Sequence, residues 1–224
     1  MASTLFRKAE ISYPSARISL KFSVACIITF HFFGALGMLY PPTRPYFEAA
    51  TPLNLLITNV LLFNFHRDWN LPFLIFCLIS FLTGFLVEVA GVQTGLIFGE
   101  YSYGPALGLK LWEVPLLIGL NWLMLVYITG YVSGRLFKNK LLAAMGGTTL
   151  MVMLDYVIEP VAMKYNFWYW EQEVIPIQNY LGWFVTALFL HLIYQFLPFN
   201  KRNILAKYVI IVQLAFFISL HLFN

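Results

Sequence analysis

Seven stretches of this chain are long and apolar enough to be read as bilayer crossings, and they constrain the fold more than any motif does. They run roughly over 18–40, 52–66, 71–90, 113–133, 141–163, 180–199 and 204–223. About 20 apolar residues cross the hydrocarbon as a helix. Lipid offers no partner to a backbone N–H or C=O, so such a run must close its hydrogen bonds internally. The expected fold is therefore all-α: one polytopic membrane helix bundle over 1–224, with about seven transmembrane helices. The run at 52–66 is short and carries Asn54, Asn59 and Asn64, which also suits an interfacial or re-entrant segment. Breakers and charge mark the turns, in Pro41-Pro42, "HRDWN", "SGRLFKNK" and "PFNKRN".

Composition and charge agree. Of 224 residues 60% are hydrophobic and 11% charged, against about half and a quarter in soluble domains. Cys26 and Cys77 lie in apolar runs, which argues against a disulfide framework or a metal-binding cluster. The first 17 residues are polar and mixed, unlike a cleavable signal peptide. Cytoplasmic loops are enriched in Lys and Arg. Placing 1–17 in the cytoplasm puts eleven Lys and Arg inside and three (Arg44, Lys110, Lys164) outside. The net charge of +4 then reads as a topology signal and as contact with anionic membrane lipids, not as nucleic-acid binding.

The acids sort the other way. Only Glu10 and Asp68 fall inside; the other eight lie in the outer half or outer loops. Tolerance of outer loops for acids accounts for Glu48, Glu171 and Glu173. It fits Glu88, Asp155 and Glu159 poorly, since they interrupt hydrophobic runs and a charge at membrane depth costs a few kcal/mol. Asp155 and Glu159 are i and i+4 in "MLDYVIEPVAM", so one helical face carries both. They lie roughly 12 and 6 Å below a span end near 163, at 1.5 Å per residue. Pro160 should kink that helix or end its regular bonding. Gly84 and Gly91 share a face with Glu88, which should pack inward. Glu113 opens the fourth run, with Asn121 two turns on as a hydrogen-bond partner. Buried carboxyls that fix helix packing are the bland reading; a shared site for proton chemistry is the sharper one. Desolvated neighbouring carboxyls cannot both ionise easily, so one stays an acid beside an anion. Among histidines, His31 and His191 are lone mid-span residues suited to core or hydrogen-bonding roles. No P-loop, Rossmann glycine run or Gly-x-Ser-x-Gly is present, and no cofactor or metal is expected. The aromatic run "NFWYW" at 166–170 resembles an interfacial belt.

Three features carry a resemblance to a known family: "GEYSY" at 99–103, Val114-Pro115 followed by Trp122, and Asp155-x-x-x-Glu159-Pro160 followed by Trp168-x-Trp170. Across roughly 70–200 the chain resembles the membrane-integral carotenoid biosynthesis proteins, which include bacterioruberin-type and carotenoid 1,2-hydratases. The resemblance implies cofactor-independent addition of water to the terminal isopropylidene double bond of an acyclic carotenoid, in a prokaryotic cytoplasmic membrane. For that chemistry we expect Asp155 as proton donor, Glu159 as charge partner or water-orienting base, and Glu88 and Glu113 tuning or replacing them, with the roles open to permutation. An outer loop over 91–112 would cap the site, with Tyr101, Tyr103, Asn121, Trp122, Trp168 and Trp170 meeting the substrate end. A carotenoid end-group cyclase begins with a similar protonation and is the nearest rival. A prenyltransferase lacks its Asp-rich pairs here, and a retinal protein its deep lysine. A transporter or structural bundle without catalysis is the third reading.

Overall fold

The computed structural model describes residues 18–171 and 173–223. Within them the chain forms seven helices: α1 (Leu20–Leu39), α2 (Arg44–Asn64), α3 (Leu71–Thr94), α4 (Leu117–Leu136), α5 (Lys140–Lys164), α6 (Ile177–Phe196) and α7 (Ala206–Leu222). The first five are long and apolar enough to cross a membrane; α7 is apolar and shorter. Segment 1–17, expected to be cytoplasmic, lies outside the described residues.

Local chemistry sets the helix ends. Ser19, Asn70 and Asn139 accept backbone N–H bonds at the starts of α1, α3 and α5, each satisfying donors that have no partner within the helix. At the end of α5, Asn166 adopts φ 59 and Phe167 N–H bonds Ala162 O at 3.0 Å, a left-handed stop of the Schellman type. That stop turns the chain back, so that β4 (Trp168–Trp170) lies antiparallel on β1 (Tyr101–Tyr103), pairing Tyr101 with Trp170 and Tyr103 with Trp168. A second ribbon, β2 (Lys110–Leu111) on β3 (Val114–Pro115), precedes α4. Most of α4 is buried, which makes it the centre of the bundle. At the end away from the strands, Phe76, Tyr127, Tyr194 and Phe199 form an aromatic core with neighbouring ring centroids 5.3–6.4 Å apart.

Four expectations change. The second run is a full helix beginning at Arg44, because Pro45 suits a first turn whose N–H groups need no partner. Helix α3 continues to Thr94 and stops at Gly95, φ 65, so the capping segment is 95–116 instead of 91–112. Trp168–Trp170 form a strand and not only a belt. Glu113 does not open α4. With Trp112 it forms the two-residue turn of the β2–β3 ribbon, at φ 65 and 52, where the strand twist demands left-handed backbone.

Candidate functional site

Three carboxyls are buried at the strand end: Glu88 on α3 at 3% exposure, Asp155 at 1% and Glu159 at 2% on α5. What surrounds them decides what they can do. Glu88 Oε2 accepts the Tyr101 hydroxyl at 2.5 Å and the Tyr103 hydroxyl at 2.7 Å, and its Oε1 accepts Trp122 Nε1 at 2.9 Å. Glu159 Oε2 accepts both Trp168 Nε1 and Trp170 Nε1 at 2.9 Å. Asn179 Nδ2 then donates to Glu159 Oε1 at 3.0 Å and to Asp155 Oδ2 at 3.1 Å. Asp155 Oδ1 is buried without a hydrogen-bond partner among the described residues.

The sheet builds this arrangement. Side chains alternate along a strand, so Tyr101 and Tyr103 point inward past exposed Ser102, and Trp168 and Trp170 point inward past exposed Tyr169. The pairing lays four donors over two carboxyls. Burial, then the charge of nearby Glu88, pushes both tyrosine phenols well above their ordinary range, so both remain O–H donors. Close helix approach completes the frame: a Cβ at Gly84 would collide with Trp122, and one at Gly91 would lie 2.6 Å from Phe98 Cδ2. This is the inward face expected for Glu88. Trp183 stacks on Trp122 at 4.4 Å.

A pocket of about 20 Å³ lies among these groups, lined by Glu88, Glu159, the strand aromatics, Asn121 and Asn179. Asp155 does not line it. Next to it is an apolar cavity of about 230 Å³ between α1, α2, α4 and α7, and Ile118, Asn121 and Trp168 line both spaces. Phe30, Phe33 and Leu53 line the cavity and are themselves 45–60% exposed on the flank of the bundle. Its mouth therefore opens sideways. His31 also lines it, with Nδ1 donating to Ile27 O at 2.8 Å. His191 is in the core, bonded to Ala187 O and Thr129 Oγ1.

Of the residues nominated from sequence, Glu88, Asp155, Glu159, Tyr101, Tyr103, Asn121, Trp122, Trp168 and Trp170 gather here. Glu113 is exposed in its turn, so the Glu113–Asn121 pair is not formed. Asn179 was missed because the sixth run was started at 180; its signal was an amide in the first turn of a span, level with the acids. Residues 50–224 match the family described as carotenoid biosynthesis protein. The chain belongs to that family. The family match begins within α2 and holds every carboxyl of the cluster, while α1, which lines the cavity, precedes it. Over 118 residues the chain is 28% identical to bisanhydrobacterioruberin hydratase of Haloarcula japonica, an alignment covering 49% of this chain and 40% of that relative. The chain thus spans less than half the length of the relative it matches. No solved structure matches it.

Proposed function

We propose that this membrane protein hydrates the terminal isopropylidene double bond of an acyclic carotenoid end, as a carotenoid 1,2-hydratase, without a cofactor. The observation that carries the reading is that a laterally open apolar cavity adjoins a small pocket walled by carboxyls and indoles, with Ile118, Asn121 and Trp168 lining both. The name of the Haloarcula relative supports the same chemistry. The polyene end enters from the membrane between α1 and α2 and places its alkene against Glu159. The rest of the chain stays in lipid, since about 230 Å³ is less than the roughly 300–1,000 Å³ of sites that enclose a drug-sized ligand.

The proton comes from the Asp155–Glu159 pair. One amide nitrogen touches both carboxyls, and two such neighbours resist carrying two negative charges, so the pair shares one proton. Glu159 lines the pocket and delivers it; Asp155, one turn deeper, keeps Glu159 supplied. This exchanges the roles expected for the two from the sequence, which left them open to permutation. Protonation at the less substituted alkene carbon leaves a tertiary carbocation. The faces of Trp168 and Trp170 stabilise it by about 0.5–2 kcal/mol each, and Glu88, held by three donors, supplies a fixed negative charge. One water attacks the cation through oxygen and returns a proton to a carboxylate, so acid and base are regenerated. A pocket of about 20 Å³ suits a single water, which needs roughly 10–15 Å³.

Expression in a bacterium that accumulates an acyclic carotenoid tests the reading. The expected pigment is heavier by one water, and its new hydroxyl carries heavy oxygen when the purified protein works in labelled water. A cyclised pigment of unchanged mass would instead establish the cyclase. Unchanged pigment would favour a bundle without catalysis, and a requirement for molecular oxygen would overturn hydration.

A further inference from the structure

Two materials must meet in this pocket, and the mostly apolar cavity described so far suits the polyene. A second space lies on the other side of Tyr101. It measures about 280 Å³ and is lined by Tyr101 together with Gln93, Thr94, Glu100, Ser102 and Glu171. Those five are all exposed, so this vestibule opens on water at the strand end. Among the described residues, Tyr101 alone lines both the vestibule and the acid pocket. Its hydroxyl is on Glu88 Oε2 at 2.5 Å, and its ring is wedged between Phe98 and Trp170, at centroid distances of 6.1 and 5.1 Å. Gly91 leaves room for this wedge: a Cβ there would stand 3.1 Å from the Tyr101 hydroxyl.

We propose that Tyr101 is the water gate of the site: the water added to the alkene enters from the vestibule past Tyr101 to Glu88, while the polyene enters sideways from lipid. This rests on the hydratase reading. Hydration consumes one water and no net proton, so the vestibule has only to supply water. A gate also serves the chemistry. Free entry of water would solvate the carboxyls and let both ionise, leaving no proton to deliver, whereas no entry would leave the cation to cyclise or lose a proton. Tyr101 is thus a positioning and gating residue, acting through Glu88 and not on the alkene.

The test is made on the full chain in lipid nanodiscs, with Cys26 and Cys77 replaced by Ala, using a membrane-impermeant methanethiosulfonate in the aqueous phase. In Glu88→Cys the thiol should label slowly, and adding Tyr101→Ala should speed labelling at least tenfold. Adding Tyr101→Phe should not, because the ring is the barrier. Equal rates with and without Tyr101→Ala overturn the gate. Should Tyr101→Ala fail to accumulate, a bulky thiol reagent on Ser102→Cys in the vestibule should slow hydration at least tenfold and reversibly; an unchanged rate overturns the gate. Fast labelling through Tyr101→Ala, with no hydration by the parent chain, would uphold the gate and overturn the hydratase reading.

Discussion

Glu88, Asp155 and Glu159 have different hydrogen-bond environments, and the proposed mechanism depends on that difference. Glu88 and Glu159 each receive three donors, whereas Asp155 receives one. Charge-assisted hydrogen bonds are worth about 1.5–3 kcal/mol each, so the donors favour carboxylates at Glu88 and Glu159. In the proposed mechanism the shared proton of the α5 pair rests on Asp155 and passes to the alkene through Glu159. Asp155→Asn and Glu159→Gln keep size but remove the transferable proton. Each should lower hydration about 10²–10⁴-fold, the usual worth of general acid–base help, while the protein still inserts. Product formation at matched membrane abundance checks this, with Glu113→Gln and Glu173→Gln as exposed controls that stay near wild type. Near-normal activity in both span variants would reassign Asp155 and Glu159 to packing. The acids of α5 were legible in the sequence because a charge in an apolar run has few uses. The exclusion of Glu113 was not, since its Trp-Glu turn lacks the Asn-Gly pair that usually marks such a hairpin.

At the scale of elements, the site depends on how closely α3 approaches α4 and on one three-residue ribbon. Gly84 abuts Trp122 so tightly that any side chain there collides with the indole, which carries the donor to Glu88 Oε1. Gly84→Ala should therefore cost about 1–3 kcal/mol by overpacking, more than the gain of up to about 1 kcal/mol from replacing a helical Gly. Gly34→Ala is the comparison, because its Cβ would meet only Phe216 at 3.5 Å, an ordinary contact. Thermal unfolding in detergent should show a lowered Tm for Gly84→Ala and an unchanged or raised one for Gly34→Ala. Similar Tm values for the two would mean that α3 can shift away without loss. The small-residue face of α3 could be read from spacing. The β1–β4 pairing could not, because "YSY" and "WYW" are too short and too far apart for periodicity to reveal them.

The whole molecule is an asymmetric bundle, with acids and strands at one end and an aromatic core at the other. The eleven-to-three split of Lys and Arg leads us to propose that the strand end faces outward and that the seven helices place the two termini on opposite sides. Reporter fusions or impermeant labelling at position 4 and after position 224 should give opposite signals. Matching signals would mean that one helix does not span, with α7, at 17 residues, the first candidate.

Sequence alone determined the helical class, the inward face of Glu88 and the pairing of Asp155 with Glu159. Those follow from local rules: the hydrogen-bonding demand of lipid, the 3.6-residue period, and the cost of charge at depth. Only the tertiary structure decided that Glu88 meets Trp122 and two tyrosines, that Asn179 joins the α5 acids, and that Glu113 stands apart. It alone placed an apolar cavity on one side of the carboxyls and a polar vestibule on the other. These depend on contacts between residues tens of positions apart, which helix packing and strand pairing create and no local pattern encodes.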